Sequence, residues 1–81
     1  MTVNVRLFAR ARDLAGQPAV EIDLPAGATV AQLREALAVR IPALRPILPQ
    51  LLVAQDNQYA TDDTPLSSGA ELACFPPVSG G

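Results

Sequence analysis

The residues best suited to do chemistry stand at the end of the sequence, Pro76-Pro77-Val78-Ser79-Gly80-Gly81. Consecutive prolines lack backbone donors and hold φ near one value, so no sheet continues through them, and they stiffen the chain toward an extended form. At about 3.1 Å per residue, such a tail spans on the order of 19 Å when extended. The two glycines then make a tip without side chains. A tip of that kind threads a narrow channel in a partner enzyme and presents its carboxylate there. A carboxylate is a poor electrophile, so it needs activation, most simply as an acyl-adenylate formed from ATP. The partner would supply that chemistry. A frayed terminus and a leftover cloning scar are the plain alternatives, and the stiff Pro76-Pro77 root of the tail speaks against both.

Most other chemistry is excluded by composition. The chain has no histidine, so it builds neither a Ser-His-Asp nor a Cys-His couple and no His-ligated metal site. Cys74 is the only cysteine, which rules out an intramolecular disulfide and a Cys-rich zinc site, and a lone thiol is compatible with a reducing cytosol. No metal and no bound cofactor is expected. All six cations are arginines (Arg6, Arg10, Arg12, Arg34, Arg40 and Arg45), and lysine is absent. Arg6, Arg10 and Arg12 gather near the start, where they read as a nucleic-acid patch, a solvated strand edge or an arginine-lined protein interface. The net charge of −2 and the lack of an aromatic stacking platform beside them argue against nucleic acid. The opening residues lack the uninterrupted apolar run of a signal peptide, and no apolar stretch is long enough to span a bilayer. The expectation is a soluble, cytoplasmic protein with no membrane partner.

The elements that must hold the tail follow from periodicity. Eighty-one residues make one domain with a modest core and little room for a deep pocket, which favours work at a surface or a terminus. From Thr2 to Ala9 the chain alternates, with Val3, Val5 and Leu7 on one face and Asn4, Arg6 and Phe8 on the other, predicting a strand. Arg10–Ala15 reads as one helical turn stopped by Gly16. Val20, Ile22 and Leu24 alternate in a second strand. Thr29 and Gln32 form a capping-box pattern that opens the main helix; Val30, Leu33, Leu37 and Ile41 line its apolar side, while Gln32, Arg34, Glu35 and Arg40 face out. Pro42 ends it. Residues 42–50 read as an irregular connection with a short turn around Leu44–Leu48, Leu51–Gln55 as a strand, Asp56-Asn57 as a turn, and Tyr59 as part of a very short strand. Leu66 tucks under a turn, and Glu71–Phe75 forms the last strand, with Leu72 and Cys74 on one face and Ala73 and Phe75 on the other. A lone amphipathic helix must pack on a sheet. The class is α+β, a domain over residues 1–75 with a flexible tail over 76–81.

The ending Glu71-Leu72-Ala73-Cys74-Phe75-Pro76-Pro77-Val78-Ser79-Gly80-Gly81 closely resembles that of molybdopterin synthase small subunits, the sulfur carriers of molybdenum cofactor synthesis. Val5 to Gly16, with Arg12, resembles the family's first strand and following turn. Val30–Leu44 resembles its helix and exit, and Tyr59-Ala60 with Asp63-Thr64-Pro65-Leu66 the stretch before the last strand. The resemblance implies a ubiquitin-like β-grasp fold. It further implies that a ubiquitin-activating-like enzyme adenylates the Gly81 carboxylate with ATP, that a sulfur donor converts it to a thiocarboxylate, and that the large synthase subunit receives the tail. There the sulfur passes to a cyclic pyranopterin precursor, in what is usually a heterotetramer. On this resemblance Gly81 is the reactive residue, Gly80 keeps the tip slim, and Pro76, Pro77, Val78 and Ser79 aim it. Phe8, Arg12 and Phe75 would contact the partner, whereas Cys74 would be a buried apolar residue and not the sulfur carrier.

Two other function classes share Gly-Gly and this fold. One is a sulfur carrier for thiamine or cysteine synthesis, set apart by the Phe-Pro-Pro-Val-Ser lead-in. The other is a ubiquitin-like modifier of protein lysines, and the absence of lysine here argues against the chain modifying itself at an internal lysine. A β-grasp interaction domain with an idle tail is a further rival.

Overall fold

The computed structural model describes residues 1–77. Nine short elements follow in order. Strand β1 (Thr2–Leu7) leads into helix α1 (Ala9–Ala15), then β2 (Ala19–Asp23), the main helix α2 (Val30–Arg40), two 3-10 turns (Pro42–Leu44 and Leu48–Gln50), β3 (Leu52–Gln55), β4 (Gln58–Ala60) and β5 (Glu71–Phe75). The strands make one five-stranded sheet in the order β2-β1-β5-β3-β4. Only the central pair, β1 with β5, is parallel; the others are antiparallel. The α+β reading holds.

Alternation decides which face is inside. Val3, Val5 and Leu7 of β1, Val20 and Ile22 of β2, Val53 of β3, and Leu72 and Cys74 of β5 are buried, together with Val30, Leu33 and Leu37 of α2. No polar or charged residue among those described is buried. The expected capping box is present: Thr29 Oγ1 accepts from Gln32 N–H, and Gln32 Oε1 accepts from Thr29 N–H. α2 ends before Pro42, with Ile41 already non-helical. Leu66 is buried, as expected, and Gln55 ties its loop to the sheet by donating to Pro65 O and accepting from Ser67 N–H. The β3–β4 turn places Asp56 and Asn57 at φ 50° and 68°, the pair of left-handed residues that a tight hairpin requires.

Four local readings are corrected. β1 ends at Leu7 rather than Ala9, because Ala9 turns left-handed (φ 53°) and carries the chain into α1. That helix is seven residues long, not one turn, and closes on Gly16 in the left-handed conformation. The 42–50 connection is less irregular than its prolines imply. Each 3-10 turn holds a proline in its first turn, where its missing N–H is harmless, and the two bury Leu44 and Leu48. Arg34 is also not simply outward. Its side chain is only 21% exposed, its Nε lies 2.8 Å from Asp62 Oδ1, and its Nη1 donates to Leu48 O.

Candidate docking face and tail root

Because β1 and β5 run parallel at the centre of the sheet, they finish at the same edge. Leu7 is paired with Cys74, and just beyond, Phe8 N–H donates to Cys74 O at 3.1 Å. The start of α1 and the end of β5 therefore sit side by side. Pro76, half-buried, and Pro77, exposed, continue from this point outside any strand. Val78, Ser79, Gly80 and Gly81, expected to aim and form the reactive tip, lie outside the described residues.

On the outer face, away from α2, cross-strand register assembles an apolar floor. Ala73 stands opposite Ala54, which in turn stands opposite Tyr59, and Phe75 stands opposite Leu52. Phe8, at 44% exposure, and Tyr59, at 76%, are among the exposed large hydrophobics. The Tyr59 and Phe75 rings meet with centroids 5.9 Å apart at 52°, within the range of favourable tilted aromatic pairs. Phe8, Ala54, Asn57, Tyr59, Ala73 and Phe75 line a depression of about 370 Å³. Small residues form its floor and aromatics its rim, a shape that accepts a protruding apolar side chain.

Of the predicted contact residues, the structure brings Phe8 and Phe75 together next to the tail root. It does not bring Arg12 there. Arg12 lies exposed on α1 and lines a separate hollow with Asp13, Gly16, Gln17 and Pro18. Tyr59, Ala54 and Ala73 were not singled out as contact residues from sequence; Ala73 was legible from its alternation with Phe75, while Tyr59 depends on the hairpin register. A larger depression, about 480 Å³, lies beside α2 between Arg34, Glu35, Arg45 and Asp62, but Arg34 there is already satisfied by Asp62 and Leu48.

Cys74 points into the core. It is 1% exposed, and burial pushes its thiol up from 9.0 to about 11, only partly offset by the Arg34 cation. A buried thiol held protonated is a poor nucleophile. Among the described residues, no three His, Cys, Asp or Glu side chains gather as a metal site needs, and no helix is long and apolar enough to cross a membrane.

The ThiS family model matches residues 5–81. The molybdopterin synthase sulfur carrier subunit of Arabidopsis thaliana is 35% identical over 79 residues, covering 98% of this chain and 82% of that one. That of Escherichia coli K12 is 37% identical over 83 residues, covering 98% and 99%. Among solved structures, SAMP1 (small archaeal modifier protein 1) from Haloferax volcanii aligns over the whole of both chains with TM-score 0.89 and 31% identity. A complex of subunits 1 and 2 of the molybdopterin-converting factor from Helicobacter pylori aligns over the whole of both chains with TM-score 0.70 and 26% identity. The C-terminal ubiquitin-like domain of mouse tubulin-specific chaperone e, at 18% identity and TM-score 0.57 over 99% of this chain and 91% of that one, shares the fold.

Proposed function

The chain belongs to the ThiS family, and from that membership we propose that it is the sulfur-carrier small subunit of a molybdopterin synthase, working at its Gly81 carboxylate. It has the ubiquitin-like β-grasp fold of its structural relatives. The observation that carries the proposal is the fusion of two features at one edge of the sheet. Phe75 is both a wall of the aromatic depression and the residue from which Pro76 departs. A partner seated on that face is thereby positioned to receive whatever follows Pro77. The sulfur carrier subunits of A. thaliana and E. coli support the pathway, and the H. pylori complex supports a large-subunit partner.

In the proposed cycle a ubiquitin-activating-like enzyme joins the Gly81 carboxylate to the adenylyl group of ATP, releasing pyrophosphate. A sulfur donor then displaces AMP and leaves a thiocarboxylate. The loaded chain docks through Phe8, Tyr59 and Phe75 on the large subunit and delivers sulfur to a cyclic pyranopterin precursor. Two such deliveries furnish the dithiolene. Gly80 keeps the tip narrow, and Pro76, Pro77, Val78 and Ser79 aim it, the prolines by holding φ fixed at the root. ATP belongs to the activating enzyme, and the cycle runs in the cytoplasm. Cys74 takes no part, because its sulfur is buried and protonated. The expected assembly is a heterotetramer with the large subunit.

Intact mass spectrometry after incubation with the adenylating enzyme, ATP and sulfide tests the proposal. The expected result is a mass gain matching one oxygen replaced by sulfur, absent when Gly81 is deleted. No gain with a demonstrably active adenylating enzyme rejects it. The likeness to SAMP1 favours one second reading, in which the same activated carboxylate acylates lysines of other proteins. Higher-mass covalent adducts that persist in reductant-treated lysates would favour that use of the tail.

A further inference from the structure

The geometry points to Arg6 as the residue that selects the docking partner, by taking a carboxylate that the large subunit presents beside the aromatic depression. The inference rests on the docking reading above.

Across the outer face, register sets Ala19, Arg6, Ala73, Ala54 and Tyr59 in one row. Arg6 therefore borders the alanine floor directly. It also lines a smaller hollow of about 120 Å³ with Phe8, Ala54, Asn57 and Ala73 as well as Glu71 and Leu72. Its side chain is exposed and makes no hydrogen bond or ion pair among the described residues, where Arg34–Asp62 is the ion pair present. Every outward-facing charge on the neighbouring strands is a carboxylate: Glu21 and Asp23 on β2 and Glu71 on β5. Glu21 and Glu71 stand opposite Asn4 rather than Arg6, and neither forms an ion pair with Arg6.

A partner that fills the aromatic depression also strips water from Arg6. An unpaired cation in that setting is strongly unfavourable, so a fitting partner must supply an anion there. The planar guanidinium fork matches a carboxylate with two parallel hydrogen bonds and specifies its orientation. The surface thus fits a partner with an apolar protrusion and, next to it, an acidic side chain. A partner with a neutral or basic residue at that point is rejected, since rejection arises from buried unpaired charge as much as from lost contacts.

The test is calorimetric titration of the full chain against the large synthase subunit encoded in the same genome, for the unaltered chain and for Arg6→Glu, Arg6→Gln, Glu71→Gln and Phe8→Ala. Circular dichroism and a thermal melt establish that each variant is folded, and Arg6→Gln keeps the test decisive if charge reversal disturbs the sheet. Arg6→Glu is expected to weaken binding by roughly thirtyfold or more and Arg6→Gln by roughly tenfold, with Glu71→Gln causing no loss. Unaltered binding by folded Arg6→Glu, with Phe8→Ala still weak, overturns the role of Arg6 and leaves the docking face standing. A loss in Glu71→Gln equal to that in Arg6→Gln also overturns it, because the charge is then neutralised within the chain. Unaltered binding by both Phe8→Ala and Arg6→Glu removes the docking face itself.

Discussion

The two faces of the sheet are made from the same strands, residue by residue in alternation, yet they are built to different rules. The inner face carries Val3, Val5, Leu7, Val20, Ile22, Val53, Leu72 and Cys74, all nearly inaccessible beneath Val30, Leu33 and Leu37 of α2. The outer face is divided. Its β2–β1 side carries Thr2, Asn4, Arg6, Glu21 and Asp23, whereas its β5–β3–β4 side carries, beyond Glu71, the residues Leu52, Ala54, Tyr59, Ala73 and Phe75. A small domain has little apolar surface to spare, so leaving a contiguous apolar area uncovered is not a demand of folding. Such areas mark contacts with partners. Stability and the proposed docking thus fall on opposite sides of one layer, and substitutions can separate them.

The largest separation is expected at Leu37, which is fully buried in the second half of α2. Leu37→Ala removes packing that nothing else can refill and should cost about 3 kcal/mol of stability, read from urea denaturation. The fraction that remains folded should still bind the large subunit with unaltered affinity. A cost below about 1 kcal/mol, small on the scale of buried Leu→Ala changes, would show that the inner face is not the stabilising one.

Cys74 sharpens the inner side of the contrast through pH. Burial, the main cause, pushes its thiol from the ordinary 9.0 up to about 11 in the folded chain. Between those values the unfolded state has released a proton that the native state keeps, so stability falls as pH rises. The contribution is intact below pH 9 and lost by pH 11, on the order of 2–3 kcal/mol. Cys74→Ala should be less stable at neutral pH but should flatten this alkaline slope in denaturation curves collected from pH 8 to 11. An unchanged slope would assign it to other groups.

Phe8 probes the outer side. Phe8→Ala should weaken the complex with the large subunit by about 2 kcal/mol, as truncation of a central aromatic does, while the urea midpoint reports less than about 0.5 kcal/mol of lost stability. Equal effects on both would collapse the distinction between the faces. Titration calorimetry and urea denaturation on the same preparation decide it.

Much of the framework was legible because it is local. The alternation of Val3, Val5 and Leu7, the Thr29–Gln32 capping box and the stop at Pro42 each follow from a few consecutive residues, and each appears as read. What was not legible depends on distant partners. Arg34 looked outward by helical spacing, but Asp62 and Leu48 draw it back against the chain. Tyr59 joins Phe75 only because the hairpin pairs it with Ala54 and β3 pairs with β5. Arg12 was placed with Phe8 by the family resemblance, and α1 sets it beside another hollow. The roles proposed for Gly80 and Gly81 rest on their sequence context, and the family match extends to residue 81.

The smallest expected effect lies at the hinge between the two faces. Leu7 points inward and Phe8 outward as the last alternating pair, and Ala9 then breaks the pattern with φ 53°. For a residue with a Cβ, that conformation costs roughly 1–2 kcal/mol. Glycine adopts it freely but gives up roughly 0.5–1 kcal/mol through its more disordered unfolded chain. The difference leaves Ala9→Gly more stable by about 0.5 kcal/mol, or about 2–4 °C in Tm for a domain of this size. Docking should fall slightly, because the backbone that holds Phe8 beside Phe75 and the tail root is loosened just where β1 passes into α1. A variant that gains stability while losing affinity would show the two faces trading against each other at a single residue. A drop in Tm instead would mean that the left-handed turn is held by its neighbours and carries no recoverable strain.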